Sequence, residues 1–395
     1  MAFWRALRAF SAGDRAAGAT LTVATIAALG WDSAWPGSYE RIWDSAQFVP
    51  RVAGLHFSLR DWADQGLMTM FFAGVGLEVR RELSPGGTMP WKSAPVPVVA
   101  ALGGMAAPAV IYTLVLHGGA GSRGWGIPMA TDVAFALGAL DMVAASRAPR
   151  ARVFLMALAV ADDIFSIIIL VFFYSSHLDV AALLAGLAAV AGVVGARRLR
   201  PAWTGLQLCL GVLAWWGLAR GGVEAAVVGV AIGALVLSSP RRAEQAQLRG
   251  PRDWEVLLEP WLVLLVLPVF ALANVGIPLG SLSLSAKGAP GIFLAVLVAR
   301  AVGKPVGIAM TTWALRRASP RLDDARLSAR ELSGVGALAS VGFTVPLLVV
   351  RAALPDGAMA NSATLGLLAG SAVGALGGFA IMRARTHSAA DGMRM

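Results

Sequence analysis

The chain has 395 residues, of which 57% are hydrophobic and only 14% charged, and its formal net charge is +10. Soluble domains average about 45–50% apolar and about 25% charged residues, so this composition excludes a soluble domain and a disordered chain. Cys209 is the single cysteine, which excludes a disulfide scaffold and a cysteine metal site. A bilayer-spanning helix needs roughly 20 apolar residues, and the chain is long enough for twelve with short loops.

Taken in chain order, apolar runs bounded by charges or Gly/Pro clusters fall at 16–31, 62–79, 94–116, 124–146, 151–174, 179–196, 203–219, 221–238, 255–276, 289–315, 331–350 and 359–382. They predict an all-α polytopic membrane protein with twelve transmembrane helices. Residues 1–15, with Arg5 and Arg8 among aromatics and no cleavage site, read as a cytoplasmic lead-in rather than a signal peptide. An even number of spans puts both termini on one side. Taking that side as cytoplasmic, with the tail 384–395, places 24 Lys and Arg there and seven outside, leaving Arg300 and Lys304 within a span. Excess Lys and Arg in cytoplasmic loops is the usual topology signal. It fixes the orientation, with both termini cytoplasmic, and explains the basic charge with no nucleic-acid partner; an inner (cytoplasmic) membrane location is the expectation.

The longest outward connection, 32–61, contains Arg51-Val-Ala-Gly-Leu-His-Phe-Ser-Leu-Arg60. Its alternation and central glycine predict a surface hairpin at about 43–61. An isolated hairpin is marginal in water, so a second copy completing it, as a homodimer, is expected.

Two spans are interrupted. The fourth carries Gly124-Trp-Gly-Ile-Pro128 and then Thr131-Asp132; the eleventh carries Ser333, Gly334, Gly336, Ser340, Gly342, Thr344 and Pro346. Each is the middle member of a three-helix group, spans 3–5 and 10–12. Breaks at corresponding places in two halves point to a transporter's ion site near the bilayer midplane.

A charge at the bilayer centre costs about 2.5–3.5 kcal/mol on insertion scales. Asp64, Glu78, Asp132, Asp141, Asp162, Asp163, Glu224, Arg300 and Lys304 fall within predicted spans, and Glu255 and Glu259 near a helix start. For Asp64, Glu78 and Asp141, interfacial or structural pairing stands level with a functional role. Asp162 and Asp163 have apolar runs on both sides and no such explanation. Adjacent helical residues point about 100° apart, so the two can share a cavity while meeting different partners. Burial and mutual repulsion oppose ionisation of both. Such a carboxylate holds a proton or a small hard cation, not both. Oxygen donors from Asp, Thr and backbone carbonyls suit that cation, and no His or Cys cluster favours a transition metal. Lys304 calls for a carboxylate partner, and pairing it with one aspartate leaves the other for the ion. Half-helix ends carry partial charges, which Asp132 offsets at the positive ends and Lys304 at the negative. These features together describe ion-for-proton exchange. An intramembrane aspartyl protease expects its aspartates on separate helices, one in Gly-x-Gly-Asp, which does not occur here. A passive cation channel expects a ring of carbonyls or acids.

Trp62-Ala-Asp-Gln-Gly-Leu-Met68, Gly76-Leu-Glu-Val-Arg-Arg-Glu-Leu83, Ala130-Thr-Asp-Val-Ala-Phe-Ala-Leu-Gly138, Leu158-Ala-Val-Ala-Asp-Asp-Ile164, Leu267-Pro-Val-Phe-Ala-Leu-Ala-Asn-Val-Gly276, Gly303-Lys-Pro-Val-Gly307 and Val341-Gly-Phe-Thr344 resemble the NhaA-type sodium/proton antiporter family. That family is itself one of the transporters behind the paired-break rule. The resemblance implies twelve helices with inverted repeats and two broken crossing helices, spans 4 and 11. Residues 16–383 would form one transporter unit: a core bundle from about 94–174 and 289–382, and a dimerisation bundle from about 16–83 and 179–276. Asp163 matches the principal Na⁺/Li⁺ and proton site, and Asp162 a neighbour that pairs with Lys304. Thr131 and Asp132 line the fourth-span break. Glu78, Arg81, Glu82 and Glu255 match positions of the cytoplasmic funnel and pH response, and Asp64 a further buried acid. Glu224 stands where a known member has histidine. Arg300 stands where an apolar residue is expected, and would compete with Lys304 for Asp162. The implied activity is exchange of cytoplasmic Na⁺ or Li⁺ for external H⁺, electrogenic and pH-regulated, by alternating access and without a cofactor.

Overall fold

Long apolar runs fold as helices in lipid because a helix satisfies its backbone groups within one segment. The structure, a computed structural model, describes residues 14–45, 57–82, 95–119, 121–144, 148–174, 179–199, 203–222, 224–237, 254–278, 288–319, 327–354 and 357–383. Among the described residues there is no strand. The helices are α1 (Asp14–Ala34), α2 (Pro36–Trp43), α3 (Met68–Glu82), α4 (Pro95–Leu116), α5 (Val133–Ala144), α6 (Pro149–Tyr174), α7 (Val180–Leu199), α8 (Thr204–Arg220), α9 (Trp254–Trp261), α10 (Leu267–Asn274), α11 (Ala289–Val298), α12 (Lys304–Ala318), α13 (Ala329–Ala339), α14 (Thr344–Ala353) and α15 (Gly357–Arg383). A helical turn Leu59–Asp61 and a π-turn Trp62–Leu67 lead into α3, and a π-turn Ala299–Gly303 joins α11 to α12.

By length and composition five helices can cross a bilayer: Pro95–Leu116, Pro149–Tyr174, Val180–Leu199, Ala289–Ala318 and Gly357–Arg383. α13 and α14, bent by 51° at their junction, make a sixth if they are one span.

Helix starts follow local chemistry. Proline, which lacks an N–H, opens α2, α4 and α6, where the first N–H has no helical partner anyway. Ser328 caps α13 in a reciprocal box: its hydroxyl accepts from Glu331 N while Glu331 accepts from Ser328 N. Arg197 and Arg198 end α7, and Arg316 and Arg317 end α12, each pair suiting the negative helix terminus.

The helices group into two compact units, one built from Thr20–Ser84 and Leu170–Leu279, the other from Pro85–Ile169 and Gly280–Met395 with Gly13–Ala19. In the first unit, a β-carbon on Gly229 would lie 2.1 Å from Thr69 O, and one on Gly233 would lie 2.0 Å from Ala73 O. Glycine lets the helical turns Val228–Ala231 and Ile232–Leu237 lie directly against the α3 backbone. Tyr39 ties α2 to the end of α10, its hydroxyl donating to Leu272 O (2.6 Å) and accepting from Gly276 N (3.0 Å). Burial pushes the Tyr39 phenol up to about 12, so it stays a donor through the physiological range. Arg60 lies over the Tyr39 ring and pairs with Asp44 at 2.7 Å. The hairpin expected at 43–61 has helical ends, since α2 reaches Trp43 and Ser58 caps the turn Leu59–Asp61. Its centre, 46–56, lies outside the described residues, as do 1–13 and the tail 384–395.

In the second unit, α6 runs through the core, with Phe154 to Asp163 buried without a break. α4 and α12 approach through paired glycines: a β-carbon on Gly307 would sit 2.1 Å from Gly103 O, and one on Gly103 would sit 2.7 Å from Gly307 O. Small residues at such a crossing let helix backbones touch. This contact seats the first turn of α12, which bears Lys304. Gly307→Val is expected to destabilise the protein by about 1–3 kcal/mol through overpacking, read as a lower melting temperature in detergent; an unchanged melting temperature would show that the crossing tolerates separation.

Candidate functional site

The last carbonyls of a helix and the first N–H groups of the next have no helical partner, so each break in a chain creates a set of polar groups that must be satisfied. Two breaks meet in the second unit. Residues 127–132 separate the 3₁₀ turn Ser122–Gly126 from α5, and Ser340 to Phe343 separate α13 from α14. The broken segments bond to one another, Asp132 N donating to Val341 O at 2.9 Å. Thr131 Oγ1 lies 2.9 Å from Ala339 O. Lys304 Nζ donates to Met129 O. Arg300 spans both breaks, Nε donating to Ser340 O and Nη2 to Ala130 O, each at 2.6 Å. Four carbonyls at the breaks are thus satisfied, three of the bonds coming from two buried cations, and Ala339 O lies within reach of the Thr131 hydroxyl.

Asp132 serves the positive ends. Its Oδ1 accepts from Phe135 N in the first turn of α5 (3.2 Å), and its Oδ2 accepts from the hydroxyl of Thr344, which opens α14 (3.3 Å). A carboxylate between two helix N-termini is where the dipoles favour negative charge.

The carboxylate pair on α6 faces this junction. Asp162 is fully buried, and its Oδ2 accepts from Lys304 Nζ and lies within hydrogen-bond reach of Thr131 Oγ1, both at 2.6 Å. The single Thr131 proton serves Asp162 or Ala339 O at any moment. Asp162 Oδ1 and Ser166 Oγ, one turn further along α6, are buried with no hydrogen-bond partner among the described residues. Asp163 is 3% exposed and within electrostatic reach of Lys304. Buried oxygens held in place without a protein donor suit a cation or a proton. Among the described residues, no group of three His, Cys, Asp or Glu forms a resident metal site.

Five sequence-predicted residues, Thr131, Asp132, Asp162, Asp163 and Lys304, therefore come together in one unit. The buried acid Asp64 and the funnel and pH-response candidates Glu78, Arg81, Glu82, Glu224 and Glu255 lie in the first unit. Asp64 is buried in the π-turn before α3, and Asn274 Nδ2 donates to its Oδ1 at 2.7 Å. Glu78 is half-buried on α3, and Glu224 is half-buried before the 3₁₀ turn Ala225–Val227. Arg81 and Glu82 end α3 and Glu255 begins α9, but their side chains lie outside the described residues. Asp141, in the second unit, pairs with Arg152 at 3.2 Å. Sequence reasoning missed the part taken by Arg300, expected to compete for Asp162 and found on two backbone carbonyls. A usable signal was present: a guanidinium one turn before Lys304, within reach of a break rich in glycine.

The family model described as Na⁺/H⁺ antiporter 1 matches residues 8–382. The Na(+)/H(+) antiporter NhaA of Acidovorax sp. (strain JS42) is 37% identical over 386 residues, covering 95% of this chain and 91% of that protein. The Na(+)/H(+) antiporter NhaA 2 of Sorangium cellulosum is also 37% identical, covering 93% of this chain and 87% of that protein. The Na(+)/H(+) antiporter NhaA of Nocardia farcinica is 35% identical, covering 94% and 90%.

Proposed function

The chain belongs to the Na⁺/H⁺ antiporter 1 family, and on that premise we propose that Na⁺ and H⁺ exchange at its Asp162–Asp163 pair. The protein is a multi-pass membrane antiporter of Na⁺ and H⁺, a cofactor-independent transporter and not an enzyme. One observation carries the site: two adjacent buried carboxylates on α6, one paired with Lys304, beside two chain breaks whose end charges are matched by Asp132 and by cations.

Exchange needs a group that holds either ion but not both. With a proton on Asp163 the pair carries less charge and Lys304 remains on Asp162. Loss of that proton to one side leaves a carboxylate that binds Na⁺, with Asp162 Oδ1, Thr131 Oγ1 and Ser166 Oγ as further hard oxygen donors. The breaks let a small movement of the half-helices open the site to one face of the membrane and then the other. Twelve spans, with the fourth and eleventh broken, account for the apolar runs and the bend between α13 and α14. The distribution of 24 Lys and Arg against seven supports an inner-membrane protein with both termini cytoplasmic. Li⁺ is a second substrate, exchange is electrogenic, and a homodimer forms through the 43–61 segment. Glu78, Arg81, Glu82, Glu255 and Glu224 tune the pH response in the other unit, and Asp64 is a structural acid held by Asn274.

In everted vesicles carrying a respiratory pH gradient, Na⁺ or Li⁺ should collapse the gradient from neutral to alkaline pH, while K⁺ should not. Silence towards both ions, in vesicles where a control antiporter responds, would overturn the reading. Purified protein in liposomes separates a channel from an antiporter, since a channel conducts Na⁺ without moving protons.

A further inference from the structure

Arg300 is fully buried on the π-turn between α11 and α12. That turn is a register shift, because Lys304 N bonds back five residues to Ala299 O, and Pro305 has no N–H with which to continue an α-helical ladder. Burying a guanidinium is costly unless hydrogen bonds and opposite charge meet it. Arg300 meets the first condition with Nε on Ser340 O of one break and Nη2 on Ala130 O of the other, each at 2.6 Å, while Nη1 has no hydrogen-bond partner among the described residues. The charged groups facing it are Asp162 on α6, Asp132 at the first break and Lys304 one turn along its own element. Room for it is made by glycine. A β-carbon on Gly342 would sit 1.5 Å from Arg300 Nη2, and one on Gly370 of α15 would sit 3.2 Å from Arg300 Cβ.

The two carbonyls that Arg300 holds adjoin the groups that face the ion site. Ala130 precedes Thr131, whose hydroxyl reaches Asp162. Ser340 precedes Val341, whose carbonyl accepts from Asp132 N. We propose that Arg300 is a positioning residue for exchange: its planar fork locks the carbonyl ends of the two breaks together and supplies two of the three hydrogen bonds they take from cations, leaving Lys304 to pair with Asp162. A planar guanidinium suits this because two of its N–H groups diverge in a fixed geometry, whereas an ammonium is one point charge on a flexible stem. The inference rests on the exchange reading above.

The test is Na⁺ kinetics of Arg300→Met and Arg300→Lys in proteoliposomes, normalised to folded transporter. Arg300→Met removes charge and both bonds, so KM for Na⁺ should rise at least about tenfold, as for the loss of one bond to a charged group, with a smaller change in kcat. Arg300→Lys keeps the charge and should fall between wild type and Arg300→Met. A purely structural role would lower the yield of folded protein or kcat and leave KM unmoved. Should Arg300→Met fail to fold, Arg300→Lys carries the test alone, with a raised KM expected. Wild-type KM in every folded variant, beside normal wild-type exchange, overturns this proposal alone. Absence of exchange in the wild type overturns the functional reading and this proposal with it.

Discussion

Asp163→Asn should abolish Na⁺-dependent proton movement while the protein still inserts and folds. The substitution keeps size and hydrogen-bonding capacity and removes the one property the reading requires, a charge that a proton or Na⁺ can neutralise. A unit charge at contact distance, with an effective dielectric near 20, is worth about 4 kcal/mol, roughly a thousandfold in Na⁺ affinity. Asparagine also cannot release a proton, so both halves of the cycle fail together. The matched control is Asp141→Asn, an acid in the same unit that pairs with Arg152 across 3.2 Å and should keep exchange. Ordinary exchange by Asp163→Asn in everted vesicles, at wild-type levels of inserted protein, would remove Asp163 from the site. Equal loss in both variants would point to a general requirement for acids in this unit.

Helix limits were readable because apolarity is a local property. The run at 94–116 is the helix Pro95–Leu116, and 359–382 is Gly357–Arg383. The irregular stretches at 127–132 and Ser340–Phe343 fall where glycine, proline and Thr131-Asp132 disrupt a helical pattern without help from distant residues. What the linear order does not contain is which buried cation meets which oxygen. Arg300 and Lys304 are one turn apart, and either is chemically suited to Asp162. The π-turn and the space at Gly342 send the guanidinium to Ala130 O and Ser340 O, while the ammonium reaches Asp162. Asn274 as the partner of Asp64 is hidden in the same way, 210 residues away in sequence. The hairpin expectation went astray at its ends because alternation over ten residues is a weak signal beside the helix starts at Pro36 and Ser58.

The Asp162–Lys304 pair should be strongly coupled in stability. Removing one partner of a buried ion pair leaves the other charge in an apolar interior, which costs about 3–5 kcal/mol. Asp162→Asn strands the ammonium on Met129 O, and Lys304→Met strands the carboxylate on Thr131. Each single variant should therefore lower the melting temperature of the detergent-solubilised protein well below that of surface substitutions. The double variant removes both charges and leaves Arg300 on Ala130 O and Ser340 O, so the junction keeps most of its hydrogen bonds. It should be more stable than the sum of the singles by about 0.5–3 kcal/mol, the range seen for residues in one network. Strict additivity would mean that Asp162 and Lys304 do not sense one another. A double variant that loses more than the sum would assign Lys304 the task argued here for Arg300, since the carbonyl ends would then depend on the ammonium.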